Sequence, residues 1–112
     1  MTRRFRHSLP ILLASLRAAG EETRLRILAL LAEGELSVSD LTDILGQSQP
    51  RISRHLKLMA EAGLIERFPD GAWVFYRLPA AGPVRQLADA VLDLIDGVAA
   101  GPVAGRHGAD IE

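Results

Sequence analysis

Residues 37–63 read SVSDLTDILGQSQPRISRHLKLMAEAG and give the strongest indication of the fold. An apolar-periodic segment over residues 41–45 stops at Gly46, and a second such segment begins about three residues later. Ser48 can cap the second segment, and Pro50 suits its first turn because the N–H that proline lacks would have no helical partner there. Two short helices joined by a glycine-containing turn are the sequence form of a helix-turn-helix.

The second of these helices, which ends at Gly63, has one apolar face and one basic face. Its inner stripe consists of Ile52, Leu56, Met59 and Ala60. On the opposite side and its flanks lie Gln49, Arg51, Ser53, Arg54 and Lys57. Such a face suits the major groove of DNA, because arginine pairs bidentately with guanine and glutamine with adenine. On composition alone a solvated face is the alternative reading, and the position directly after the tight turn favours DNA.

Two further helices are predicted before this motif. Leu9, Leu12, Leu13 and Leu16 recur at the spacing of one helical face, which predicts a helix from Ser8 to Ala19 with Gly20 as its stop. From Glu21 to about Glu33 two neighbouring stripes are both apolar, which predicts a helix that is buried on most sides and ends at Gly34. This second helix is the expected centre of the core.

After Gly63 the apolar period changes from that of a helix to two, which indicates strands. Residues 64–68 and 73–78 form two alternating runs, and Asp70-Gly71 between them is a strong hairpin signal. The sequence therefore predicts a two-stranded wing directly after the helix-turn-helix.

Two segments complete the predicted secondary structure. Glu35 to Val38 is too short to assign, although Ser37 and Ser39 are both suitable N-caps for the helix that follows. A last amphipathic helix is predicted from Gly82-Pro83 to about Asp96, with apolar residues on one face and carboxylates on the other.

Composition and charge limit the classes of protein to which the chain can belong. The 112 residues, 48% of them apolar, suffice for one domain with a single core. The 13 basic side chains nearly balance the 14 acidic ones, so any attraction to nucleic acid must come from a local surface. No apolar stretch approaches the roughly 20 residues that span a bilayer, and we expect a cytoplasmic protein with no membrane partner. We expect a basic arm over residues 1–7, one domain over residues 8–97 and a flexible tail over residues 98–112.

The order and spacing of four segments resemble a known family. These segments are ETRLRILALL (22–31), SQPRISRHLK (48–57), AGLI (62–65) and the hairpin residues 71–78. Through them the chain is similar to the ArsR/SmtB family of bacterial transcriptional repressors over roughly residues 16–95. The resemblance implies a winged helix-turn-helix, mainly α with a small β-hairpin, that carries additional N- and C-terminal dimerisation helices. It also implies a sequence-specific regulator, in most cases a repressor, that binds an inverted-repeat operator in double-stranded DNA.

The resemblance places Gln49, Ser53 and Arg54 where family members contact DNA, and Arg51 is an additional candidate base reader. The wing is a departure from the family pattern, because its tip carries no basic residue and Asp70 there would repel phosphate. The residues expected to contact DNA are therefore Ser48, Gln49, Arg51, Ser53, Arg54, Lys57 and, from the wing, Arg67.

A homodimer is predicted, because the first and last helices carry apolar faces wider than a small winged domain can bury against itself. The family dimerises through the same two elements. The residues expected at this interface are Leu9, Leu12, Leu13, Leu16, Leu87, Val91, Leu94 and Ile95.

The sequence offers little for metal or catalytic chemistry. It contains no cysteine, so it supplies no thiolate ligand, nucleophile or redox switch. Asp89 and Asp93 stand one turn apart on the last helix without a histidine, which favours a solvated acidic face over a metal site. His55 projects near the inner stripe, which favours a partly buried structural histidine. We expect no catalytic residue, metal or cofactor, and an inducer, if there is one, that is a small molecule not bound through thiols.

Two other readings remain open at this point. Some similar regulators carry a methyltransferase-like domain after the last helix, and the Gly/Ala-rich tail would suit a linker to such a sensor. Alternatively, the winged fold would serve as an adaptor for protein contacts, a reading favoured if the Arg54–Lys57 face does not bind duplex DNA.

Overall fold

The computed structural model describes residues 9–95, which form five helices and a small sheet. The helices are α1 (Leu9–Ala19), α2 (Glu22–Leu31), α3 (Val38–Leu45), α4 (Gln49–Glu61) and α5 (Pro83–Leu94). The strands are β1 (Leu36–Ser37), β2 (Glu66–Asp70) and β3 (Trp73–Arg77). This is the predicted winged helix-turn-helix with an added helix at each end.

The helix-turn-helix forms as its capping residues predict. Ser37, rather than Ser39, caps α3: its hydroxyl accepts the Asp40 N–H at 3.1 Å while the Asp40 carboxylate accepts the Ser37 N–H at 3.0 Å. Gly46 ends α3 with φ of 68°, a left-handed conformation that glycine adopts without steric cost. Ser48 then caps α4 by accepting the Arg51 N–H, and Pro50 lies in the first turn. These local contacts fix the turn between the two helices.

The sheet has three strands, and the two-stranded wing predicted from the sequence is therefore incomplete. β1 pairs antiparallel with β3, Leu36 lying opposite Tyr76, and the strand order is β1-β3-β2. The predicted start of the wing is also wrong, since Leu64 and Ile65 are both buried and precede β2. In the hairpin turn, Gly71 adopts φ of 65° and Ala72 does not share a positive φ, as in a turn with glycine at its first central position.

The core lies where α2, α3 and α4 meet the sheet. Its completely buried large side chains include Ile27, Leu28, Leu41, Ile52, Leu56, Met59 and Leu64. The predicted inner stripe of α4 is confirmed for three of its four members, and Ala60 is only half-buried. Tyr76 of β3 and Ala88 of α5 close the edges of this core. Helices α2 and α4 are therefore each anchored in the core by at least two fully buried apolar side chains.

Helix α1 packs on the core through small residues, while its Leu9, Leu13 and Leu16 are exposed. Ser15, Ala18 and Ala19 are buried. The Ser15 Oγ lies 3.2 Å from the carbonyl oxygen of Ile11 and 3.3 Å from that of Ala62, at the end of α4. This contact leaves the hydroxyl satisfied at the point where α1 meets α4.

Several predicted boundaries shift by one or two residues or fall outside the described residues. α2 begins at Glu22, because Glu21 is its N-cap and accepts the Arg24 N–H at 2.9 Å. It ends at Leu31 rather than near Glu33, and α5 ends at Leu94 rather than near Asp96. The predicted Ser8 cap, the arm over residues 1–7 and the tail over residues 98–112 lie outside the described residues.

Candidate nucleic-acid interface

Helix α4 presents a polar face on the surface of the molecule. Its buried side packs through Ile52, Leu56 and Met59, so the residues between them are turned away from the core. The exposed residues of this face are Ser48, Gln49, Pro50, Arg51, Arg54, Lys57 and Glu61, and Ser53 is half-buried. The structure thus brings the DNA-contact candidates of α4 onto one surface, which can reach base edges and phosphates of a duplex.

Arg54 is the least constrained cation of this surface. It is exposed and makes no hydrogen bond or ion pair with any residue between 9 and 95. Its guanidinium carries five donors in a fixed fork, which fits the two acceptors of guanine or two phosphate oxygens. No intramolecular contact must be broken before it binds.

The other polar side chains of the surface are held by neighbours. The Gln49 amide donates to the Ser53 hydroxyl at 3.0 Å. Lys57 donates to the Glu61 carboxylate at 2.7 Å, and this bond raises the pKa of Lys57 above its ordinary value. DNA phosphates must therefore compete with Glu61 for the Lys57 ammonium. Ser48 is exposed on this surface, and its hydroxyl also caps α4 by accepting the Arg51 N–H.

Arg51 is oriented through a chain of contacts that the sequence did not reveal. Its Nε lies 3.5 Å from the Gln47 Oε1, and the Gln47 amide donates to the Thr23 hydroxyl of α2 at 3.1 Å. Thr23 is buried. Gln47 lies in the turn, where helical periodicity gives no information, so only the three-dimensional packing identifies it as a link between the turn and α2.

The wing offers one uncommitted cation. Arg77 lies 3.2 Å from Glu66 and 4.3 Å above the Phe68 ring, which itself stacks on Phe75. Arg67 is exposed, and its side chain has no hydrogen-bond partner among residues 9–95. Asp70 stands at the tip, directly opposite Trp73. A phosphate contact from the wing is therefore expected through Arg67 rather than through the tip.

His55 lies beneath this surface, against α2. Its Nδ1 is 3.3 Å from Arg24 Nη1 and 3.9 Å from Glu21 Oε1. Burial, and the nearby charges of Arg24, Arg51 and Arg54, lower the pKa of His55, while Glu21 opposes that shift. Its position agrees with the structural role predicted for it, but sequence reasoning missed its two partners.

The apolar faces of α1 and α5 remain largely uncovered. Leu9, Leu16 and Leu94 expose 67%, 46% and 84% of their surface, and Leu13 is also exposed. Leu12, Leu87, Val91 and Ile95 are half-buried. Ile11, which was absent from the predicted interface, is 56% exposed on the same helix. A monomer would leave these aliphatic side chains in water, so the outer faces of α1 and α5 are candidates for an interface.

The acidic face of α5 has a structural partner. Arg85 donates to Asp89 at 3.0 Å and to the Pro79 carbonyl at 2.7 Å.

Among residues 9–95, no cluster of three or more His, Asp and Glu side chains could hold a metal ion. Within the same range, no helix combines the length and apolar character required to cross a bilayer.

Comparison with known proteins assigns the chain to a family. Residues 21–67 match the family model described as "Bacterial regulatory protein, arsR family". The solved structure of HlyU from Vibrio cholerae is 32% identical, with a TM-score of 0.68, and the match covers 75% of this chain and 90% of that one. The chain belongs to the ArsR family. The ArsR family consists of DNA-binding transcriptional regulators rather than enzymes.

Two further relatives bear on how ArsR-family members act. The arsenical resistance operon repressor of Escherichia coli is 55% identical over 71 residues, which are 62% of this chain and 59% of that protein. A homodimeric winged helix-turn-helix DNA-binding domain from Mycobacterium bovis has a TM-score of 0.70 at 29% identity, with 80% of this chain and 82% of that one covered. The chain spans less than two thirds of the length of the arsenic-resistance regulators that it matches.

Proposed function

We propose that this ArsR-family chain is a repressor that binds an inverted-repeat operator as a homodimer. The observation that carries the proposal is the pairing of two surfaces on one small domain. One is the α4 surface with Arg54 uncommitted, and the other consists of exposed leucines, which are Leu9, Leu13 and Leu16 on α1 and Leu94 on α5. A twofold axis that brings these leucines against those of a second copy would present two copies of α4 to the same duplex.

The dimer would set the geometry of the operator. Two recognition helices related by a twofold axis read half-sites about one helical turn apart, or about 34–36 Å, and the site is then an inverted repeat. The homodimeric Mycobacterium bovis domain supports this arrangement. In each half-site, Arg54 and Arg51 would read base edges, Gln49 and Ser53 would contact bases or phosphates, and Lys57 and Arg67 would bind the backbone.

Repression is favoured over activation by the Escherichia coli relative, whose name is that of a repressor. HlyU of Vibrio cholerae, in contrast, is named a transcriptional activator. Both outcomes use the same DNA-binding domain, and the position of the operator relative to the promoter decides between them. A dimer bound across the promoter would exclude RNA polymerase by occupancy alone.

Selection of duplexes from a random-sequence pool tests the proposed function. The chain should enrich one inverted repeat with two half-sites. When that repeat is placed near a promoter, addition of the purified protein should reduce transcription in vitro. Enrichment of a single half-site would contradict the dimeric mode of binding. A pool with no enriched sequence would contradict sequence-specific binding altogether.

The inducer is proposed to act without thiol or metal chemistry. We expect that zinc, cadmium, arsenite and thiol oxidants leave the complex with DNA intact. Soft metals and arsenite need thiolates and oxidants need a sulfur nucleophile, but the chain has no cysteine, and zinc needs imidazoles better placed than His7, His55 and His107. The measurement is fluorescence anisotropy of a labelled inverted repeat during titration with each agent, and a chelator is added at the end. Release by stoichiometric zinc that the chelator reverses would refute this expectation and direct attention to Asp89, Asp93 and His107 of two subunits.

A further inference from the structure

Arg24 connects three elements of the fold through one guanidinium and its own backbone. Its Nε donates to the Ala18 carbonyl at the end of α1 at 2.6 Å, and its Nη1 lies 3.3 Å from His55 Nδ1 of α4. Its backbone N–H donates to the Glu21 carboxylate that caps α2. The side chain is only partly exposed, so these contacts form at the junction of α1, α2 and α4 rather than in bulk water.

The contact with Arg24 determines the state of the His55 imidazole. A guanidinium is always a donor and never an acceptor, so the Nδ1 that faces it must accept. The proton of the neutral ring is therefore on Nε2. A protonated ring would carry a proton on Nδ1 as well and could no longer accept the bond from Arg24.

The charges around His55 also favour the neutral ring. From α2 it faces Arg24 and, at 3.9 Å, the Glu21 carboxylate, and from its own helix it is close to Arg51 and Arg54. Burial has the largest effect and, together with the three cations, lowers the pKa of His55 below its ordinary value against the opposing effect of Glu21. A neutral imidazole that accepts from Arg24 is thus the stable form near pH 7.

This junction lies between the two surfaces of the proposed function. Ala18 belongs to the helix that carries the exposed leucines, and His55 follows directly after Arg54 on the recognition helix. A direct contact between α1 and α4, from Ser15 to Ala62, lies at the C-terminal end of α4, about two turns beyond His55. A small rotation or shift of α4 would move Arg51 and Arg54 relative to the dimer axis, and side chains that support a binding residue fix such geometry.

On the basis of the proposed operator binding, we propose that Arg24 and His55 are positioning residues that hold the recognition helix at a fixed orientation relative to α1. Neither residue touches DNA in this role. Their contribution is to the discrimination between operator and other sequences, because base contacts need the fixed orientation whereas general phosphate contacts tolerate movement. Protonation of His55 removes the contact and with it part of that discrimination.

Substitutions at α2 test the proposal with a matched control. The measurement is the ratio of affinities for the selected inverted repeat and for a shuffled duplex of the same length, at constant salt. Arg24→Met should lower this ratio by about tenfold or more, as expected for the loss of a charge-assisted hydrogen bond to a partly buried group. Arg26→Met is the control, since Arg26 is on the same helix and, among residues 9–95, its one ion pair is with Glu22, one turn away. It should change the ratio by less than about twofold.

Substitutions of His55 separate positioning from a general loss of structure. His55→Asn keeps an acceptor close to the place of Nδ1, so it should retain most of the discrimination, whereas His55→Leu should lose a large part of it. The double variant Arg24→Met, His55→Leu should lose no more than Arg24→Met alone, because Arg24→Met already removes the contact with His55 together with the one to Ala18. If Arg24→Met fails to fold, the comparison of His55→Asn with His55→Leu decides.

A pH profile gives a second, independent readout. Discrimination by the wild-type chain should hold at neutral pH and fall as the pH is lowered below about 6.5, because the pKa of His55 lies below its ordinary value and the ring becomes protonated only there. The profile of His55→Asn should be flat in that range. NMR of the imidazole nitrogens should find the Nε2–H tautomer at neutral pH. The opposite tautomer, or a profile that His55→Asn leaves unchanged, would overturn the proposal.

The outcomes distinguish this inference from the proposed function. If the wild-type chain discriminates between the duplexes and Arg24→Met discriminates equally well, only the positioning role is contradicted. If the wild-type chain itself shows no preference, sequence-specific binding has failed and the positioning role falls with it.

Discussion

A chain that carries Leu16→Glu and Leu94→Glu is expected to sediment as a monomer at micromolar concentration and to lose at least about a hundredfold in affinity for the inverted repeat. Leu16 and Leu94 are 46% and 84% exposed on α1 and α5, so the domain itself tolerates a charge at either position. In the dimer each carboxylate would be placed in an apolar interface, which is costly when no partner charge is present. A monomer would bind one half-site at a time, so it would lose the gain in affinity that a dimer obtains by binding the second half-site within the same complex.

Trp73→Glu is the matched control for this experiment. Trp73 is a large apolar residue with 59% of its surface exposed, and it lies on the wing rather than on α1 or α5. Its replacement should leave the sedimentation coefficient unchanged. A double leucine variant that still sediments as a dimer would show that the exposed faces of α1 and α5 are not the interface.

Arg54→Ala is expected to weaken binding to the inverted repeat by about 1–3 kcal/mol for each contact that the side chain makes. Arg54 forms no hydrogen bond or ion pair within residues 9–95, so its whole guanidinium is available to DNA and its removal should change stability little. Loss of a base contact would relax selectivity at one position of each half-site. Loss of a phosphate contact would instead weaken binding to all duplexes and reduce the dependence on salt.

Binding titrations at several salt concentrations measure both effects, with Arg26→Ala as a control cation away from the α4 surface. Circular dichroism and thermal melting verify the fold of each variant. If Arg54→Ala binds the inverted repeat as tightly as wild type while remaining folded, the α4 surface is not the DNA-binding surface. The adaptor function would then explain the exposed polar face better than DNA recognition does.

Local chemistry explains why most of the fold could be predicted from the sequence. Helix α4 has a serine cap, a proline in its first turn and an aliphatic stripe at helical spacing, and each of these acts within one or two turns. The outward leucines of α1 and α5 could be predicted for a similar reason: their faces are wider than the domain can bury. The α4 members of the DNA-contact set followed from the same periodicity, because opposite sides of one helix are determined once the inner stripe is known.

The elements that were missed depend on contacts between distant residues. β1 has only two residues, and it exists because Leu36 and Ser37 pair with β3 about 40 residues later in the chain. Gln47 and Thr23 meet across 24 positions, and Arg24 and His55 across 31. No periodicity encodes such pairs, so the polar links between α2 and the recognition helix became visible only in three dimensions.

The most direct test of operator recognition is the affinity of the wild-type chain for the selected inverted repeat and for a shuffled duplex, measured from about 50 to 200 mM salt. We predict that both affinities fall with salt, because Lys57 and Arg67 would neutralise phosphates in either complex. The inverted repeat should nevertheless bind at least about a thousandfold more tightly than the shuffled duplex at physiological salt. Equal affinities for the two duplexes across the salt range would contradict sequence-specific recognition by α4.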